Sequence, residues 1–166
     1  MNKISWDQYF MTMAYLVAMR SKDNSTHIGA VIVGPDNEVR STGYNSFARG
    51  VLNEYSPELQ ERPEKYFWFE HAERNAVYNA SRVGIPLKGC RMYTNGVPCA
   101  DCGRAVIQSG ISEVIVDGAW NEKNDKKWIE STKRTLTMFN QAGITIRYWK
   151  GNLIEIIKFR HGKTVF

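Results

Sequence analysis

Cysteine is scarce and odd in number, with only Cys90, Cys99 and Cys102. A disulfide-stapled exported scaffold is therefore excluded, and a reducing, cytoplasmic setting is expected. The five prolines are scattered, and no Pro/Gly/Ser-rich tract or internal repeat divides the chain. That leaves no sign of a linker between domains or of a low-complexity tail. Long hydrophobic runs are also missing. The longest near the N-terminus, Ala14 to Met19, stops at Arg20, far short of the roughly 18 residues of a membrane span. No basic stretch precedes an apolar block and small-residue cleavage site, so neither a secretory signal nor a membrane partner is expected.

What is present is ordinary globular material, 43% hydrophobic and 23% charged over 166 residues. A single domain over 1–166 is the economical expectation, close to the roughly 150 residues typical of one domain. The net charge is +5, which suits an anionic partner as well as simple solubility. Lys and Arg are scattered; one cluster (Lys123, Lys126, Lys127, Lys133, Arg134) is interleaved with acids. A nucleic-acid binder concentrates its charge in a stripe, so a small phosphorylated substrate fits better than a polymer.

Apolar positions at Trp6, Phe10, Met13, Ala14 and Val17 predict an amphipathic helix over 6–20. The run 28–33, closed by Gly34-Pro35-Asp36-Asn37, and the segment Val39 to Asn45 predict a hairpin. Residues 46 to 69 show no clean period and hold Pro57 and Pro63 besides Tyr55, Tyr66, Phe67, Trp68 and Phe69; so long a connection in a compact domain is usually functional. Helices are then predicted from about Glu70 to Arg82, Ala100 to Ser109 and Lys126 to Ala142. Between and after them come strands at Arg91 to Asn95, Val114 to Asp117 and Ile144 to Trp149, with one more in the tail Leu153 to Phe159. The alternation implies crossover units and a sheet covered on both faces, made mixed by the opening hairpin.

The chemistry concentrates in two short segments. His71-Ala72-Glu73 is followed after twenty-four residues by Pro98-Cys99-Ala100-Asp101-Cys102. Cysteines three apart at a helix start turn both sulfurs to one side, and the helix N-terminus favours the thiolate that binds metal. One imidazole and two thiolates suit zinc. Three ligands leave a position for water, whereas a structural site closes with four; His27, Cys90 and His161 are the candidate fourth ligands, none in a paired spacing. Glu73, two residues from His71, points elsewhere on the helix, yet from the first turn it reaches a group beyond the helix end. There it can do general acid/base work. His-x-Glu with Pro-Cys-x-x-Cys matches the known signature of zinc-dependent base deaminases; Cys-x-x-Cys alone would equally be a redox pair or two buried thiols.

Beyond the metal motif, the chain resembles the deoxycytidylate (dCMP) deaminases of the cytidine deaminase-like superfamily over roughly residues 6–149. The resemblance runs through Trp6-Asp7-Gln8-Tyr9-Phe10, Arg20-Ser21-Lys22-Asp23, Gly29-Ala30, Gly43-Tyr44-Asn45 and His71-Ala72-Glu73-Arg74-Asn75-Ala76. It continues in Lys88-Gly89-Cys90, Gln108-Ser109-Gly110-Ile111 and Ala142-Gly143-Ile144. It implies an α/β fold, a three-layer α/β/α arrangement about a mixed, mostly parallel five-stranded sheet. It also implies zinc on His71, Cys99 and Cys102, attack of activated water on carbon 4 of cytosine, and a proton relayed by Glu73. On the same basis Asn45, Ala72 and Trp120 are expected against the substrate, and Arg20, Ser21 and Lys22 around its 5′-phosphate. Arg49, Arg74 and Arg82 are candidates for an effector or subunit boundary. Many family members are hexamers activated by dCTP and inhibited by dTTP, with Mg²⁺ accompanying the triphosphate. The stretches Ser46-Phe47-Ala48-Arg49-Gly50 and Thr94-Asn95-Gly96-Val97 depart from the usual pattern. Alternatives remain: another cytosine nucleotide or nucleoside, a modified dCMP, or a zinc-stabilised nucleotide-binding module without catalysis.

Overall fold

The structure is a computed structural model describing residues 3–51, 56–123, 128–156, 158–160 and 163–165. Its chain order begins with helix α1 (Trp6–Ala18), hairpin β1 (Gly29–Val33) and β2 (Val39–Tyr44), and the short strand β3 (Ser46–Phe47). The long connection that showed no period contains two single-turn helices, α2 (Pro57–Gln60) and α3 (Lys65–Trp68), and strand β4 (Phe69–Glu70). Then follow α4 (Ala72–Arg82), β5 (Arg91–Thr94), α5 (Ala100–Gln108), β6 (Glu113–Asp117), α6 (Gly118–Glu122), α7 (Ile129–Ala142) and β7 (Thr145–Trp149). The expected start of α7 at Lys126 lies outside the described residues. The tail forms a small hairpin, β8 (Lys158–Arg160) with β9 (Lys163–Val165), and Leu153 to Ile156 carry no strand.

The main sheet has five strands in the order β2-β1-β5-β6-β7. β1 pairs antiparallel with both β2 and β5, while β5–β6 and β6–β7 are parallel. The sheet is mixed as expected, but divided evenly rather than mostly parallel, because β1 reverses against β5 as well as against its hairpin partner. Side-chain alternation along β1 serves both faces. Ala30 and Ile32 join a cluster with Ala76 of α4, Val106 of α5 and Phe139 of α7; Val31 and Val33 pack with Phe10, Met11 and Ala14 of α1. Three layers result.

Ser5 caps α1, its hydroxyl accepting from Gln8 N at 3.1 Å. The buried face is Phe10, Met11, Ala14 and Ala18, rotated from the expected stripe, with Trp6 left 56% exposed. The rotation follows from glycine. A Cβ on Gly29 would lie 2.1 Å from Ala14 O, so β1 sits directly against the Ala14–Ala18 face. On the opposite layer, a Cβ on Gly43 would lie 2.3 Å from both Ala72 O and Ala76 N. The two small-residue contacts bring α1 and α4 close to the same end of the sheet. The start of β1 and the ends of β2, β5 and β6 all lie at that end. No helix among the described residues is long and apolar enough to cross a membrane.

Candidate active site

Two helix N-termini meet at this end. His71 is the N-cap of α4 and Cys99 the N-cap of α5, both with extended backbone. An N-cap side chain normally folds back to accept from its own helix. Neither does so here; the imidazole and the thiol turn toward each other instead. His71 Nδ1 lies 3.4 Å from Cys99 Sγ and 3.5 Å from Cys102 Sγ, and the sulfurs are 3.5 Å apart. Tetrahedral zinc, with bonds of about 2.3 Å to sulfur and about 2.0 Å to nitrogen, requires neighbouring ligand atoms roughly 3.5–3.8 Å apart. The donor set and its spacing fit that ion. Among the described residues, these three form the one group of potential ligands this closely gathered.

The Glu73 carboxylate reaches the cluster from the first turn of α4, accepting from Cys102 Sγ at 3.6 Å. Burial raises its pKa, against the opposing influence of His71, so the carboxyl takes up a proton more readily than a surface acid. The Cys99 thiol is drawn down to about 4, despite burial, by its hydrogen bond with Cys102 and by the adjacent His71. Cys102 is held well above the usual thiol range by its hydrogen bond with Cys99 and by burial. Burial works to lower the His71 pKa, but the Cys99 thiolate and Glu73 raise it on balance. A divalent cation would deprotonate the second thiol outright.

A cavity of about 660 Å³ opens above the cluster, with Ala72, Asn45 and Trp120 in its wall. Trp120 meets Tyr15 edge-on at 6.2 Å. Tyr15 donates to Asp117 Oδ2 at 2.7 Å, and Asp117 Oδ1 accepts from Ala119 N and Trp120 N. That Asp cap is why α6 forms, an element the sequence pattern did not reveal.

Asn45 faces the cavity with its amide already committed. Oδ1 accepts from Ser21 Oγ at 2.7 Å and Ile28 N at 2.8 Å; Nδ2 donates to Thr26 O at 2.8 Å and Asp23 Oδ2 at 3.2 Å. The residue shapes the 21–28 loop. Ser21 belongs to the same network, and the cavity wall on this side comes from Ser25, Thr26 and His27 rather than Arg20, Ser21 or Lys22. Lys65 also lines the wall, bound to Asp23 Oδ1 and Ser25 Oγ, each at 2.6 Å.

Arg74 pairs with Glu70 and lies 3.5 Å from Asp101, bridging the first turns of α4 and α5 beside the cluster. Arg49 donates to Asn79 Oδ1 at 2.7 Å, and Arg82 stands exposed in the last turn of α4. The structure thus gathers His71, Glu73, Cys99 and Cys102 with Ala72, Asn45 and Trp120. It leaves Arg20, Arg49 and Arg82 away from the cavity. Tyr66 and Trp128 also line the cavity without having been singled out; the density of aromatics in 66–69 was the available signal for the first.

Residues 4–117 match the profile described as the cytidine and deoxycytidylate deaminase zinc-binding region. The chain belongs to this family. It is a hydrolytic deaminase, and its relatives include human deoxycytidylate deaminase, 36% identical over 148 residues covering 87% of this chain and 79% of that one. ComE operon protein 2 of Bacillus subtilis is 34% identical over 149 residues, 88% of this deaminase and 72% of that protein. In fold the deaminase is similar to the dCMP deaminase of cyanophage S-TIM5, solved in complex with dCMP and dUMP. That likeness has a TM-score of 0.69 at 18% identity, covering 90% of this chain and 100% of the other.

Proposed function

We propose that the protein is a zinc-dependent deoxycytidylate deaminase, one domain over 1–166, that converts dCMP and water to dUMP and ammonia. The observation that carries this reading is the His71–Cys99–Cys102 triangle with the buried Glu73 carboxylate beside it, at the floor of an open cavity. When bound, zinc supplies a Lewis acid that makes water a nucleophile at neutral pH. Glu73 Oε2 takes the proton from the attacking water, delivers it to the base ring and then moves a proton to the departing amine. A carboxyl whose pKa is raised by burial is suited to carrying a proton in both directions. Trp120 supplies a flat wall for the base, and the Ala72 backbone at the start of α4 borders the reacting edge. Asn45, through Ser21 and Thr26, holds the loop that closes the nucleotide's sugar side.

The phosphate is assigned to the mouth, where Arg62, Lys123 and His27 line the wall. Arg20 and Lys22, expected around the phosphate from the sequence, are not among the residues that line the cavity. The relatives' names support dCMP as substrate. The family resemblance adds a homo-hexamer in the cytoplasm, activation by dCTP and inhibition by dTTP with Mg²⁺, with Arg49 and Arg82 as surface candidates. Arg74 is better suited to bracing the two helix starts.

A substrate panel tests the assignment: ammonia release from dCMP, CMP, deoxycytidine and 5-methyl-dCMP, with and without dCTP or dTTP, alongside zinc stoichiometry and light scattering. Fastest turnover of dCMP with one zinc per chain is expected. Zinc bound with no ammonia from any cytosine nucleotide would refute the function.

A further inference from the structure

We propose that the first turn of α7 is a positioning element for the metal cluster, with Ser131 acting on the Cys99 side and Trp128 on the His71 side. The inference rests on the reading above that the cluster holds zinc. Its origin is a capping problem. Cys99 occupies the N-cap of α5, yet its thiol is turned to His71 and Cys102 and offers no acceptor to Ala100 N. The N–H groups of a first turn need acceptors. Ser131 Oγ provides one from another helix, accepting from Ala100 N at 2.9 Å.

The hydroxyl is held in place by close helix packing. Thr135, four residues further along α7, is fully buried. A Cβ on Gly103 of α5 would come within 2.8 Å of Thr135 Cγ2, so α5 and α7 touch at a glycine and cannot slide freely. Three residues before Ser131, on the same side of the helix, Trp128 meets the His71 ring edge-on. The centroids are 5.6 Å apart and the planes cross at 77°. Tyr66 also meets this indole edge-on, at 6.2 Å and 87°. One turn of α7 thereby supports two of the three ligands. It lies beyond residues 4–117, the part of the chain that matches the family profile.

Outer partners of metal ligands typically contribute 10- to 100-fold in metal affinity. The test follows zinc release from loaded protein to a chromophoric chelator at neutral pH. Ser131→Ala should release zinc at least about ten times faster than wild type, and Ser131→Thr, which keeps a hydroxyl, should recover most of the loss. Thr137→Ala is the control; its hydroxyl bonds only within α7, to Lys133 O at 3.1 Å, and release should match wild type. In cobalt-loaded protein, Trp128→Leu should shift the visible ligand-field bands, whereas Trp128→Phe should retain them; circular dichroism confirms folding of each variant. A wild-type protein that holds no zinc would overturn the proposed function and this inference together. Zinc held by wild type and released equally slowly by Ser131→Ala would overturn the inference alone.

Discussion

Replacing Lys65 by Met should loosen the wall of the cavity and make the protein sensitive to acid. Lys65 and Asp23 form an ion pair at 2.6 Å with side chains only 12% and 6% exposed. Removing one partner of such a buried pair costs about 3–5 kcal/mol, because the other charge is stranded. Asp23 keeps four donors, Ser25 N, Ser25 Oγ, Thr26 N and Asn45 Nδ2, so the lower end, about 3 kcal/mol, is expected. For a chain of this size that corresponds to a fall in Tm of roughly 6–12 °C. The pH dependence has a definite sign. Burial pushes the Asp23 carboxyl up, but hydrogen bonds from Lys65, Ser25 and Thr26 outweigh it and hold the group below its usual value. Such a group stabilises the fold above the ordinary Asp pKa of about 3.9, and that contribution is lost as pH falls through the folded value. Without Lys65 burial gains ground, and acid unfolding should begin at higher pH. Calorimetric melts at pH 7 and across the acid range read both effects. A double-mutant cycle with Asp23→Asn should give a coupling of at least about 1 kcal/mol. A Tm within about 2 °C of wild type at pH 7, with additive single changes, would refute the reasoning.

Glu73→Gln should retain fold and zinc while turnover drops by about 10²–10⁴, and stopped-time ammonia assays showing near-normal rates would remove Glu73 from the proton path. Cys102→Ser or His71→Ala should lose metal and activity together, measured by elemental analysis of dialysed protein. Gly43→Ala forces a Cβ to 2.3 Å from α4 backbone and should cost about 3 kcal/mol or more in denaturant melts. Gly84→Ala, with open space but φ +74, should cost about 1 kcal/mol. Asn45→Ala strands several partners of the 21–28 loop and should raise KM while lowering stability by about 1–3 kcal/mol.

The reacting centre was legible because its residues are close in sequence and each begins a helix whose pattern is plain. His71 and Cys99 stand where a capping residue would, and strand β5 precedes Pro98. Strand positions were legible too, since β1 and the centre of β6 are short apolar runs. Pairing was not: nothing local says that β1 lies beside β5 and reverses against it. Asn45 illustrates the limit for side chains. Its place at the end of β2 was readable, whereas the four partners that occupy its amide come from 21–28 and depend on how that loop folds back. Ser131 and Trp128 were hidden more deeply, because a serine and a tryptophan beginning a helix carry no chemical pattern until α7 is laid on α5. The burial of Met11 in place of Trp6 likewise follows from Gly29, a residue of another element.

The cluster is drawn from a span of about thirty residues, whereas much of the cavity wall above it comes from the end of α1 and the loop to Ile28, from Arg62 to Phe69, and from Trp120, Lys123, Trp128 and Thr132. The metal-binding span thus supplies the floor of the cavity, and most of the rest of the wall comes from other stretches of the gene. Lineages can remodel what is admitted, by substitution or by exchange of whole loops, and inherit the bond-breaking apparatus untouched.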